Sequence, residues 1–227
     1  MAMSRPIRVL LKMAAAGAVG ALIGARLSHW HAFQAVRAQM KFPVSMWLSV
    51  GLWMLFSVYW SIAAKDSAAT KASESGTSRQ LHLIAVNVAL LLLVLPVPGL
   101  TRRFLPASYL LVAAGLTIQA AFILLAVWAR RHLGSNWSGE VRIATEHKLV
   151  RSGPYRFIRH PIYTAVLGMY CGTALVSGEI HALIALAILI LAYWRKIHLE
   201  ERALREAFGA DHEAYRRESW AWIPGVY

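Results

Sequence analysis

Six stretches of this chain are apolar over about the length a helix needs to cross a membrane, and that pattern narrows the fold before any motif is considered. A helix rises 1.5 Å per residue, so about 20 mostly apolar residues span about 30 Å of hydrocarbon. The stretches are 9–27, 44–64, 81–97, 105–129, 161–177 and 180–198. In lipid every backbone polar group must be paired internally, so such segments form helices. The first is rich in Ala and Gly, with Lys12 and Arg26 near its ends, and reads as a weak span or an interfacial helix rather than a signal peptide. The second carries Trp47, Trp53, Tyr59 and Trp60, suited to interfacial belts. The third stops at "PVPG", where Pro96 and Pro98 remove donors. The fifth opens at Pro161, a favoured first helical residue, and turns through "SGE" into the sixth. The linker "KDSAATKASESGTSRQ", 65–80, predicts a loop. Beyond 198, Leu199, Ala203, Leu204 and Ala207 recur at helical spacing among charges, which predicts an amphipathic helix at the water boundary, broken at Gly209. The expected architecture is all-α: a polytopic membrane bundle of five core spans, an extra N-terminal helix and a C-terminal amphipathic helix. Residues 1–40 form an N-terminal extension, and 41–227 the main domain.

Composition agrees. Of the 227 residues 15% are charged and 58% hydrophobic, against about 25% charged in soluble domains. The net charge of +13 lies between the apolar runs, as basic flanks facing anionic headgroups, which argues against nucleic acid as a partner. The segment from Arg130 to His160 holds Arg130, Arg131, Arg142, Lys148, Arg151, Arg156 and Arg159 against only Glu140 and Glu146, so the positive-inside rule places it in the cytoplasm. Arg5, Arg8 and Lys12 agree; Arg102 and Arg103, one span earlier, fall on the opposite side against the rule. Cys171, alone in an apolar run, reads as a structural thiol, and no His/Cys cluster has metal-ligand spacing. The spans carry almost no ionisable group at mid-depth, unlike those of a pump. His82, Asn87 and His181 read as interfacial or interhelical hydrogen-bonding groups.

Polar residues concentrate in "HKLVRSGPYRFIRHPIY", 147–163, and "WRKIHLEER", 194–202. The hairpin between them leaves and returns on one face, so the two clusters meet at its mouth. Charge alone allows a plain reading, in which cations flank spans and Glu200 and Glu201 pair with Arg195, Lys196 or Arg202 on the helix surface. The local order of residues points further. Gly153-Pro154 forces a turn, and Arg159 and His160 precede a helix start whose free N–H groups favour an anion. Such a place suits a carboxylate. Paired glutamates suit an ammonium or ribose hydroxyls, and the faces of Tyr155, Tyr163 or Trp137 suit an onium centre. One cofactor carries all these groups: S-adenosylmethionine.

The string "GPYRFIRHPIYTA" followed by "LEE" resembles the membrane methyltransferase family of isoprenylcysteine carboxyl methyltransferases and phospholipid N-methyltransferases. The family pattern is Arg-His-Pro-x-Tyr-x-Gly, then a Glu-Glu pair one helix hairpin later. It falls here on Arg159, His160, Pro161 and Tyr163, with Ala165 where the pattern has glycine, and on Glu200 and Glu201. Alanine there narrows the space beside the cofactor. "LGSNWSGEV", 133–141, and the ending "FGADHEAYRRESWAWIPGVY" resemble a bacterial isoprenylcysteine-methyltransferase-like branch. The resemblance covers roughly 47–227 and is strongest from 130 onward. It implies a bacterial inner-membrane enzyme whose cofactor-binding part is 130–227, with a cleft facing the cytoplasm and a lipophilic substrate entering from the bilayer. Carried over by position, the cofactor site comprises His147, Leu149, Val150, Gly153, Tyr155, Arg159, His160, Pro161, Tyr163, Glu200 and Glu201. Leu149 and Val150 would face adenine, Arg159 and the helix start the methionine carboxylate, and Glu200 or Glu201 the ammonium or ribose. Arg195, one turn before the glutamates, would orient an anionic acceptor and join Glu200 as a catalytic residue. A prenylcysteine-type carboxylate is the first expected acceptor. A phospholipid amine, a nicotinamide-dependent reductase of related fold and a non-enzymatic lipid-binding protein are the alternatives. Trp220 and Trp222 are expected as interfacial anchors, with a lining role for a prenyl or acyl tail as the alternative.

Overall fold

In the computed structural model, residues 43–63, 76–134 and 149–226 are described. The stretch 9–27, the extension 1–40, most of the linker 65–80, Trp137 and His147 lie outside the described residues. Five helices follow in order: α1 (Val44–Ala63), α2 (Gly76–Val94), α3 (Tyr109–Leu133), α4 (Pro161–Ser177) and α5 (Ile180–Glu218). Only two isolated bridges and no strand occur among the described residues. Four helices, α1, α2, α3 and α5, are long and apolar enough to cross a membrane, and α4 is a shorter apolar helix. The architecture is the expected all-α polytopic bundle.

Helix α4 is the core. Pro161 opens it, Gly178 closes it with φ 65, and most of its residues are buried. At 17 residues it is about 25 Å long. Small residues let it press against α3. A Cβ on Gly115 would sit 2.5 Å from the Gly172 carbonyl oxygen, and one on Gly172 would sit 2.6 Å from that of Gly115. A Cβ on Gly168 would enter the Phe122 ring. Gly168-x-x-x-Gly172 is thus a close-packing face of the kind that associates helices in lipid. Helix α1 lays Met46, Ser49, Trp53 and Phe56 on the bundle, a spacing of three and four that marks one face. Trp47, Leu48, Leu55 and Ile62 remain exposed for lipid. Within this contact Ser49 Oγ donates to Gln119 Oε1 at 2.7 Å, and Trp53 Nε1 to Thr173 Oγ1 at 3.0 Å. Gln119 Nε2 returns a bond to the Ser49 carbonyl at 3.0 Å. These buried polar groups of α1, α3 and α4 satisfy one another, as a bundle excluded from water requires.

Two helix boundaries differ from the expected ones. Helix α2 begins at Gly76, inside the expected loop, and its Ser78 hydroxyl takes a bond from Arg195 on α5. Helix α3 begins at Tyr109 rather than 105 because Pro106 precedes it and Ser108 caps it, accepting from the Leu110 amide at 3.2 Å. A larger difference concerns the sixth stretch. The expected span and amphipathic helix are one continuous helix, α5, interrupted only at Gly209, with φ 48 and ψ −119. The glutamates therefore ride on a rigid extension of a membrane span.

At the end of the bundle away from the glutamates, the loop after α2 pairs with the α4–α5 turn. Phe104 donates to the Gly178 carbonyl at 2.9 Å, and Ile180 to that of Arg102 at 3.0 Å. Arg103 lies against Gly178 and donates to the Leu105 carbonyl at 3.1 Å. That side chain, at odds with the positive-inside rule, is held by a local carbonyl.

Candidate active site

The site is built where the segment before α4 meets the extension of α5. Gly153 adopts φ 59, and a Cβ there would lie 2.7 Å from the His132 ring, so glycine is required on both counts. The turn Gly153–Arg156 then drives Tyr155 inward, where it packs with Ala129, Ile162 and Val150. The chain continues through Arg159 and His160 alongside the C-terminal segment. Arg159 N donates to the Trp220 carbonyl at 2.8 Å, His160 N to that of Ala221 at 3.0 Å, and Trp220 N to that of Phe157 at 2.9 Å. Thr164 Oγ1 adds a bond to the Trp222 carbonyl at 2.6 Å. The last residues of the chain thus fix the backbone of the Arg-His-Pro segment.

Both glutamates are held from this segment. Glu201 Oε1 accepts from Arg159 Nε at 3.0 Å and lies 2.8 Å from His160 Nε2. Glu201 Oε2 lies 3.4 Å from Arg216 Nε. Glu200 accepts from the Tyr163 hydroxyl at 2.5 Å, and its other oxygen lies 3.2 Å from His160 Nδ1. One imidazole therefore bridges two carboxylates. Burial opposes a charge on His160, but its hydrogen bonds to Glu200 and Glu201 outweigh burial and raise the group to about 9. Burial, reinforced by Tyr215 and Glu200, pushes the Tyr155 phenol well above its usual range. The side chain of Glu201 is 8% exposed and that of Glu200 18%, so Glu200 is the more open of the two.

Beside Glu200 the aromatic rings stack. His160 and Tyr163 are parallel to within 5° at 5.6 Å, and Tyr163 stacks on Tyr193 at 4.6 Å. Trp222 and His82 close on Tyr193 at 6.4 and 5.4 Å.

Arg159, His160, Tyr163, Glu200 and Glu201 come together, with Pro161 starting the helix beneath them and Tyr155, Gly153, Leu149 and Val150 in the adjoining segment. His147 lies outside the described residues. Three of the expected anion donors are already engaged. The Tyr163 and Thr164 amides both bond the His160 carbonyl at 3.1 Å, and Arg159 also donates to the Ser219 carbonyl. Arg195 is not brought to the cluster: it is exposed and bonded to Ser78. Its neighbour Lys196 is 5% exposed and lies beside Glu200, one turn along the helix. Trp220 is exposed as expected of an interfacial residue, whereas Trp222 is 3% exposed, because its carbonyl and ring are both taken into the core. Tyr193 has no place in the sequence reading, which gives Lys196 only as a surface partner of the glutamates and Trp222 first as an interfacial anchor. A signal for both Tyr193 and Lys196 is the shared helix face of 193, 196 and 200.

The family model "Phospholipid methyltransferase" matches residues 110–211. A rice "Probable protein-S-isoprenylcysteine O-methyltransferase" (Oryza sativa) is 31% identical over 96 residues, 41% of this chain and 50% of that protein. "Protein-S-isoprenylcysteine O-methyltransferase B" of Arabidopsis thaliana is 27% identical over 132 residues, 57% of this chain and 64% of that one. The chain thus spans half to under two thirds of the length of these relatives. Among solved structures, the fold matches that of a eukaryotic intramembrane Ras methyltransferase, an isoprenylcysteine carboxyl methyltransferase, with TM-score 0.56 and 17% identity over 99% of this chain and 88% of that one. In fold and in these partial matches the chain is similar to the membrane methyltransferases, among them isoprenylcysteine carboxyl and phospholipid methyltransferases.

Proposed function

We propose that the protein is an integral-membrane, S-adenosylmethionine-dependent methyltransferase that acts on a lipophilic carboxylate of the prenylcysteine type. The observation that carries this is the pair of hydrogen bonds joining His160 to Glu201 and Tyr163 to Glu200, which welds the Arg-His-Pro-x-Tyr segment to the Glu-Glu pair. The donor set fits the cofactor. Glu200, the more open carboxylate, suits an ammonium or ribose hydroxyls, and the Tyr163 and Tyr193 faces beside it suit an onium centre. Leu149 and Val150 would face the adenine.

When bound, S-adenosylmethionine supplies an electrophilic methyl group on a good leaving group. The protein's work is then positioning, which accounts for several kcal/mol of barrier in well-oriented reactions. Lys196 offers a buried cation beside Glu200 for an anionic acceptor. Arg195, exposed on the preceding position, would act only at the rim. A carboxylate acceptor is already a nucleophile and needs no base. The phospholipid description of the matching family model supports a second reading, an amine acceptor. That amine must lose a proton, and Glu200 is the group nearest to hand. The excess of Arg and Lys between Arg130 and His160 supports a site facing the cytoplasm.

The test is calorimetric titration of the detergent-purified protein with S-adenosylmethionine, beside Glu200→Ala and His160→Ala. Micromolar binding lost in both folded variants supports the reading, and labelled methyl is then followed into prenylcysteine or phospholipid. A folded protein that ignores this cofactor but binds reduced nicotinamide dinucleotide would be a reductase instead. One that binds neither would be a lipid-binding protein.

A further inference from the structure

His212 lies fully buried on the short limb of α5 beyond Gly209, and neither of its ring nitrogens has a hydrogen-bond partner among the described residues. Its Nε2 is 3.8 Å from Glu201 Oε2, within charge contact and just beyond bonding distance. The same carboxylate oxygen lies 3.4 Å from Arg216 Nε, also on the limb. Oε1 of Glu201 is fully bonded, while Oε2 faces two long contacts. A buried polar group left without a partner costs free energy and calls for a functional explanation. Burial is the first cause that holds His212 below the usual histidine range, with Arg159 and Arg216 acting in the same direction and Glu201 and Glu213 opposing. It therefore stands beside Glu201 as a neutral imidazole with one N–H to give.

The limb is tied to the segment that holds the proposed cofactor residues. The Tyr215 hydroxyl donates to the Tyr155 carbonyl, Arg151 donates to the Asp211 carbonyl, and Arg151 also lies over the Tyr215 ring at 5.4 Å. At its other end the limb turns on Gly209, whose missing Cβ would meet nothing within 4 Å. Tyr215 and Arg151 thus connect residues 149–156 to the limb that carries His212, and the space beside Gly209 is open.

We propose that His212 is a positioning residue that couples occupancy of the 149–156 segment to the Glu201 carboxylate: ligand docking draws the limb inward, and Nε2–H closes onto Oε2 as its hydrogen bond. This rests on the methyltransferase reading above and adds a residue to it.

The experiment titrates wild type, His212→Phe, His212→Gln, Tyr215→Phe and the Phe/Phe double variant with S-adenosylmethionine, and records thermal unfolding of each. Phenylalanine fills the space without a donor, whereas glutamine places an amide nitrogen near the position of Nε2. The expected result is about a tenfold weaker Kd for His212→Phe with no loss of thermal stability, the scale of one bond to a charged group. Glutamine restores most of it. Tyr215→Phe gives a similar loss, and the double variant adds little, because both act along one connection. Wild-type affinity in His212→Phe overturns the inference and leaves the methyltransferase reading intact, the 3.8 Å gap then being an ordinary water-bridged contact. Fully additive losses also overturn it. No binding to wild type removes the methyltransferase reading and this inference with it.

Discussion

His160 Nε2 stands 2.8 Å from Glu201 Oε1, across 41 residues of sequence and one helical hairpin. Arg159 reaches the same oxygen, so two adjacent residues before α4 close on one carboxylate of α5. This contact locks the hairpin at the end where α4 and α5 carry their chemistry. Truncating a buried partner of this kind leaves charges uncompensated and costs about 3–5 kcal/mol. Glu201→Ala is therefore expected to lower the unfolding temperature in detergent strongly and Glu201→Gln less, measured by thermal denaturation. Equal stability of Glu201→Ala and wild type would refute the locking role.

The raised pKa of His160 sets a pH dependence. The group moves from 6.5 to about 9 in the folded protein. A raised value means that the folded state holds the proton more tightly. The contribution is therefore complete below 6.5 and fades as pH rises through about 9. Unfolding temperatures of wild type should fall over that interval, while those of His160→Gln should be flatter. Matching slopes would show that the imidazole is not the titrating group.

Adjacent cations on α5 should behave differently. Lys196 is buried beside Glu200, whereas Arg195 is exposed on Ser78. If Lys196 meets the acceptor, Lys196→Met should lower methyl transfer by about 10- to 100-fold, the range of a lost charged hydrogen bond. Arg195→Ala should change it by no more than about twofold. The reverse order, in a methyl-transfer assay with both variants folded, would return the role to Arg195.

Within the bundle, shape should matter more than polarity. A side chain at Gly172 meets a carbonyl oxygen at 2.6 Å, and backbone cannot yield as a side-chain tip can. Gly172→Val should cost about 1–3 kcal/mol or prevent folding. Thr173→Val, next to it, removes the acceptor for Trp53 Nε1 yet should cost only about 0.6 kcal/mol, the mean for interhelical bonds in membranes. Thermal unfolding of the two variants decides the ranking.

The fold was legible because hydrocarbon length and turn residues are local signals. Pro161 and Gly178 bound α4 where the sequence placed it, since proline presets the first turn and glycine accepts the left-handed closing residue. The Arg-His-Pro-x-Tyr and Glu-Glu residues were legible as a pair for the same reason: a tight turn between two spans leaves their outer ends one place to meet. Arg195 against Lys196 was not, because adjacent helical residues point about 100° apart and the orientation of α5 depends on its neighbours. Trp222 against Trp220 failed alike, since residues two apart share a face of a regular extended segment, and it is the irregular packing of this segment onto the core that buries Ala221 and Trp222 while leaving Trp220 exposed.

The sequence by itself determined that this chain forms membrane helices, where the last hairpin turns, and which charged residues gather at its mouth, because apolar length, proline, glycine and charge act over a few residues. Only the tertiary structure decided that α5 runs unbroken past the glutamates to Gly209, that His160 bridges both carboxylates, that the C-terminal segment holds Arg159 and His160 by their backbones, and that His212 is enclosed beside Glu201. The last three are contacts between segments whose separation along the chain carries no local signal, and the limb beyond Gly209 is held back onto the site by the bond from the Tyr215 hydroxyl to the Tyr155 carbonyl.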